Sequence, residues 1–172
     1  ARTFTVVHED AAGNPGNPGV ETVTVDRTPP TTTAAVTGIT DNVGFVTGNV
    51  ASGGVTDDTS LVVRGTLGGA TAGASLASGE TVRIYDGATY LGNATVTVVA
   101  GGQSTWSYTD SRTLTNAQAV SYKAQVADGA GNQSAAGTAY TATVDTAAPT
   151  LQLGAASTNN TVTTSDTSLL ST

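Results

Sequence analysis

The side chains in this sequence that could do chemistry are almost all oxygens. There is no Cys, no Met and a single His, His8. That inventory excludes disulfides, thiolate zinc sites, Cys nucleophiles and multi-histidine centres. What remains is a set of acids and one amide in turn-like contexts: Asp41, Asp57, Asp58 and Asp145, then Asp26, Asp128 and Asn132, then Asp10. Such oxygens suit a hard cation, and calcium accepts about six to eight of them in irregular geometry. No Asp-x-Asp-x-Asp-Gly loop and no Gly-Gly-x-Gly-x-Asp nonapeptide is present, so an ion site here would have to be assembled by the fold. Nor is there a Gly-x-Ser-x-Gly elbow, a Walker loop or a base placed to activate the many Ser and Thr hydroxyls. The chain reads as non-enzymatic.

Positioning those acids is a task for β structure. Of the 172 residues 38% are hydrophobic and only 5% aromatic, so any core must be thin. Val and Thr recur in short alternating runs, the pattern of half-buried strands rather than of disorder. Thirteen acids against six bases give a net charge of -7, which argues against phosphate-mediated nucleic-acid binding. No stretch approaches the ~20 consecutive apolar residues of a membrane-spanning helix, and no membrane insertion is expected.

The decisive organisational signal is an internal repeat. Phe4–Asn14 (FTVVHEDAAGN) matches Tyr122–Asn132 (YKAQVADGAGN), and Thr22–Pro30 (TVTVDRTPP) matches Thr141–Pro149 (TATVDTAAP), with a one-residue adjustment between the blocks. Both copies read strand, Asp-x-Ala-Gly-Asn turn, strand, Asp, Pro-bearing linker. The expected division is therefore 1–30, the last two strands and linker of a preceding repeat; 31–149, a complete domain with its exit linker; and 150–172, the start of a following repeat. Pro29-Pro30 and Pro149 stiffen the two linkers.

Within 31–149 the alternation predicts seven strands: Thr32–Ile39, Leu61–Leu67, Glu80–Tyr85, Tyr90–Val99, Thr105–Thr109, Val120–Val126 and Thr138–Val144. A polar, Gly-rich connection runs from Thr40 to Ser60. Asp86-Gly87 is expected to turn a hairpin. The expected fold is all-β, an immunoglobulin-like sandwich in a tandem array.

At this point the chain resembles the bacterial Ig-like repeats of giant adhesins secreted by the type I route. The resemblance rests on the Asp-Gly-Ala-Gly-Asn turn at 128–132, the Thr-Val-Asp-x-x-x-Pro exit at 143–149, Ile39-Thr40-Asp41-Asn42-Val43-Gly44, Thr47-Gly48 and Thr56-Asp57-Asp58-Thr59. It implies an extracellular spacer on the bacterial surface that holds an adhesive tip away from the cell, with neighbouring repeats as its partners and Ca²⁺ stiffening the joints. Residues 150–172 carry no second Asp-Asn-Val-Gly and depart from the pattern.

An immunoglobulin-type path brings Asp41, Asp57 and Asp58, from the connection after the first strand, to the same pole as Asp145. Their mutual repulsion would be relieved by calcium. The opposite pole gathers Asp128 and Asn132 beside Asp26 of the incoming linker, and Asp10 sits on the corresponding turn of the preceding repeat. For Asp10 and Asp128 plain turn chemistry explains the residues equally well, since Asp and Asn accept hydrogen bonds from their own turn backbone.

Trp106 and Tyr122 are expected in the core, Tyr122 with a hydrogen-bonded hydroxyl. His8 is expected on the surface, and Lys123, the only lysine, outward and so not crosslinked. Two other functions remain open: a module binding glycan or a host surface, for which Tyr85 and Tyr90 are the plausible exposed pair, and a fibre subunit that assembles by strand addition.

Overall fold

The computed structural model describes residues 1–68 and 74–150. Among these it contains strands and no helix, in the order β1 (Arg2–Val6), β2 (Gly19–Val23), β3 (Thr33–Asp41), β4 (Gly48–Val50), β5 (Gly54–Thr56), β6 (Val62–Gly68), β7 (Thr81–Asp86), β8 (Thr89–Asn93), β9 (Thr95–Thr97), β10 (Thr105–Thr109), β11 (Ala119–Ala127) and β12 (Tyr140–Val144). β1 and β2 form a separate hairpin. The rest make two five-stranded sheets, ordered β4-β3-β6-β10-β9 and β5-β12-β11-β7-β8. All pairings are antiparallel except that of β5 with β12, which is parallel. This is the immunoglobulin-type path, in which the chain touches the first sheet as β3 and then crosses to the second as β5.

Alternation explains which faces meet. Val63 and Leu67 from β6 point inward with Trp106 from β10, against Val82 and Ile84 from β7 and Val120, Tyr122, Ala124 and Val126 from β11. Trp106 is 2% exposed and Tyr122 fully buried, as the period of two predicts. The indole fits because it lies over Gly65, its cross-strand partner, where a Cβ would strike the ring and the Ala35 carbonyl. Its Nε1–H donates to the Thr66 carbonyl at 3.2 Å.

Six of the seven predicted strands lie within two residues of those observed. The exceptions are instructive. The connection Thr40–Ser60 is not all loop but carries β4 and β5, edge strands of three residues each, too short to show a period. The run Tyr90–Val99 breaks at Ala94: β8 pairs with β7, whereas β9 crosses to the other sheet and pairs with β10. The expected repeat beginning at 150 lies, from Leu151 on, outside the described residues.

The two copies of the repeat have matching registers. Arg2 faces Val23, Thr3 faces Thr22 and Phe4 faces Glu21 in one hairpin; Val120 faces Ala142, Ser121 faces Thr141 and Tyr122 faces Tyr140 in the other. These are the same pairs that the sequence alignment puts in correspondence.

Candidate functional site at the two poles

Seven aspartates of this chain share one local device. Asp10, Asp26, Asp41, Asp58, Asp110, Asp128 and Asp145 each accept, on a carboxylate oxygen, the backbone N–H two residues on, at 2.7–3.0 Å. Each therefore closes an Asx turn where a strand hands over to a connection.

In the Asp-x-Ala-Gly-Asn turns the device is elaborated the same way twice. Asp128 Oδ1 accepts from the backbone N–H of Ala130 and Asn132, both at 2.9 Å, and Oδ2 accepts from the Asn132 side-chain amide at 2.8 Å. Asp10 makes the same three bonds to Ala12 and Asn14 at the same lengths. Gly131 and Gly13 complete the turns at φ of 90° and 82°, a left-handed geometry that costs a side chain ~1–2 kcal/mol. The Asn132 amide lowers the pKa of Asp128, against the opposing effect of burial and with help from backbone N–H groups. Asn14 does the same for Asp10. Asn132 Nδ2 also reaches the Asp26 carbonyl at 3.4 Å, so this pole does meet the incoming linker.

At the exit pole, Asp41, Asp57 and Asp145 line a common groove of about 290 Å³, together with Phe45, Val46, Val55, Thr56 and Ala147. Asp41 and Asp58 are buried, at 6% and 2% exposure. Asp41 Oδ2 accepts from the Thr56 hydroxyl at 2.7 Å and Oδ1 from Val43 N–H at 3.0 Å. Asp58 accepts from Ser60 N–H at 2.7 Å and Asn42 N–H at 3.3 Å. Asp57 lies against Gly44, whose φ of 70° and lack of a Cβ allow the carboxylate to close in. Asp145 accepts from Ala147 N–H at 3.0 Å, and its own N–H donates to the Thr56 carbonyl at 2.8 Å.

Of the four acids expected at one pole, Asp41, Asp57 and Asp145 line one groove, while Asp58 reaches the same connection only through Asn42 N–H. Their donors are local N–H and O–H groups, and among the described residues no three acidic or histidine side chains stand as a group able to hold one ion. A bonded carboxylate oxygen keeps a lone pair, so these bonds alone do not bar a cation. The spacing of the acids in this arrangement is what does not gather them around one.

The most strongly connected charges lie elsewhere, and sequence reading passed them over. Arg112 bridges Asp110 (2.6 Å) and Asp86 (3.0 Å), Asp86 Oδ1 accepts from Ser121 N–H at 2.7 Å, and Tyr122 Oη–H donates to Asp110 at 2.6 Å. Asp110 is fully buried. Burial pushes its pKa up, but the bonds from Arg112 and Tyr122 outweigh this and leave it lowered. Burial and the Asp110 charge push the Tyr122 hydroxyl well above the ordinary tyrosine range. The cluster ties β7, β11 and the strand-to-loop corner after β10 together. Its only sequence signal was Tyr122 itself.

The remaining expectations fall as follows. His8 is exposed. Lys123 stands on the face of β11 away from the core, half-buried beside its cross-strand partner Tyr85. Tyr85 and Tyr90 form a tilted pair, centroids 5.6 Å apart, with the Arg83 guanidinium 5.9 Å from the Tyr90 ring. Compared with known proteins, the chain matches no family model and no curated sequence.

Proposed function

We propose that this chain is a structural spacer, a stretch of a tandem sandwich array that sets length and stiffness in a bacterial cell-surface adhesin, outside the cell, with its neighbouring repeats as partners. The observation that carries this reading is the repeat itself: one hairpin register, one turn network and one Asx-capped exit, each found twice at the spacing of a complete sandwich. The Asp26 and Asp145 exits match down to the turn, Thr28 N–H and Ala147 N–H each donating to the aspartate two residues before. A binding or catalytic module gains nothing from such duplication of its ends, whereas a spacer is made of it.

Calcium at the joints belongs to this proposal through the resemblance. Asp41, Asp57 and Asp145, which share a groove beside the exit, are the acids nearest to such a site, and they would have to draw closer than they stand to hold one ion together. A bound ion would offset their charge and couple the linker to the sandwich. Small-angle scattering and melting curves, with calcium and with excess chelator, test it. Extension and melting temperature falling together on chelation is the expected result; indifference of both removes calcium from the mechanism.

A glycan-binding function has one observation in its favour, the Tyr85–Tyr90 pair with Arg83, of which Tyr90 is 50% exposed. Loss of binding on a glycan array after Tyr90→Ala would establish it, and a blank array for the unaltered chain would dismiss it.

A further inference from the structure

Where β12 ends, the backbone does not come free. Val144 N–H donates to the Gln118 carbonyl at 2.9 Å, Asp145 N–H to the Thr56 carbonyl at 2.8 Å, and Thr146 N–H to Asn116 Oδ1 at 2.8 Å. Ala147 N–H then closes the Asx turn on Asp145 at 3.0 Å. Four successive donors are held, the first and third by the turn 115–118, the second by β5 and the fourth by Asp145. At Thr146 the Asn116 amide oxygen stands in for the carbonyl of a neighbouring strand, so the pairing of β12 is carried into the linker by a side chain.

The turn 115–118 is itself firmly built. Ala117 is the one non-glycine among the described residues with a left-handed backbone, at φ of 63°. Such a conformation persists only where the surroundings over-determine it. Ala117 N–H donates to the Val144 carbonyl at 2.7 Å, and Gln118 N–H donates to the Thr115 carbonyl at 3.0 Å. Gln118 Oε1 accepts from Thr115 N–H at 2.9 Å. Just before the turn, Leu114 is buried in the core and its N–H donates to the Thr59 carbonyl at 3.0 Å.

The incoming linker offers a contrast. By the repeat, Asp26, Arg27 and Thr28 correspond to Asp145, Thr146 and Ala147. The Asx bond recurs, from Thr28 N–H to Asp26 Oδ1 at 2.9 Å, but among the described residues nothing accepts from Asp26 N–H or Arg27 N–H.

We propose that the turn 115–118 is a clamp, with Asn116 as its positioning residue, that makes residues 145–147 a rigid outgrowth of β12 and sets the direction in which the chain leaves the sandwich. Its contacts are hydrogen bonds within the chain, so it works without calcium, and bending at the joint begins past Ala147. The use of such a clamp rests on the spacer reading; its existence does not.

Amide hydrogen exchange and backbone order parameters, measured by nuclear magnetic resonance on the full chain in excess chelator, test it. The protection factor of Thr146 should exceed that of Arg27 by about tenfold, the size of effect one hydrogen bond supplies. Thr146 and Ala147 should be as ordered as β12, unlike Arg27 and Thr28. Asn116→Ala should bring Thr146 down to the level of Arg27 while the amides of β11 stay protected. Asn116→Asp, which keeps an acceptor oxygen in the same place, should leave Thr146 protected. Equal protection of Thr146 and Arg27 in the unaltered chain overturns the clamp, and so does a Thr146 amide that stays protected in Asn116→Ala. Should Asn116→Ala expose β11 as well, Asn116→Asp decides, and loss of protection at Thr146 alone in that variant overturns it. None of these results touches the scattering test of the spacer reading, which is decided separately.

Discussion

The hairpin β1–β2 and the hairpin β11–β12 are two copies of one local structure in opposite surroundings. Phe4 corresponds to Tyr122, Val6 to Ala124, Val23 to Ala142 and Val25 to Val144. In the first copy these are 55%, 70%, 49% and 65% exposed; in the second they are buried. The turns nevertheless close through the same bonds and the strands pair in the same register. Backbone geometry at this level is therefore specified by a dozen local residues, without help from a core. The core instead determines how much each side chain contributes to stability, and that differs between copies.

The largest test of this comparison removes the aromatic from each copy. Tyr122→Ala should destabilise the sandwich by about 3–5 kcal/mol in denaturant titrations, while Phe4→Ala should stay within about 0.5 kcal/mol. Similar costs would mean that β1–β2 is packed against something in solution.

Next comes the charge cluster, which the first copy lacks. Arg112→Leu leaves Asp110 buried with only Tyr122 and a backbone N–H for company, and should cost about 3 kcal/mol in the same titration. The pH dependence has a definite sign. The folded-state pKa of Asp110 lies below its ordinary value of 3.8, so its stabilisation is present above about that pH and is lost as the pH falls below it. Tyr122 is raised from its ordinary 10.0, so its contribution is complete below pH 10 and declines as the pH rises beyond. Melting temperature measured against pH should fall at both ends, and Asp110→Asn should flatten the acid side.

The smallest effect compares the turns. Gly131→Ala should lower stability by about 1 kcal/mol, and Gly13→Ala should leave the sandwich's melting curve unmoved while broadening amide signals of β1 and β2. A shift of that melting curve by Gly13→Ala would show that the two copies unfold together.

Much of this was legible beforehand because local signals and the final fold agree. Alternation placed Trp106 and Tyr122 inward, and the repeat placed the turns. The convergence of Asp41, Asp57 and Asp145 followed from the path of an immunoglobulin-type chain. What could not be read depended on distant partners. β4 and β5 are strands only because β3 and β12 lie alongside them. The step from β8 to β9 is a change of neighbour rather than of composition, though Gly92-Asn93 inside the run was a usable signal. Asp86, Asp110 and Arg112 are spread over 26 residues of sequence and carry no motif; only the chain path makes them one cluster.

The parallel pairing of β5 with β12 bears on how such a chain fails under load. Tension from the N-terminal side acts first on β3 and its pairing with β6, and once it reaches β5 it leaves on the C-terminal side of β12; because these two strands run the same way they are drawn past one another lengthwise. Their ladder bonds, with those of Gly53 to Thr141 and Asp145 to Thr56, are strained in shear and at once rather than peeled in turn. A rod built from such joints would stay at full length until a threshold force and then yield abruptly, one sandwich at a time, a sawtooth that single-molecule pulling would record.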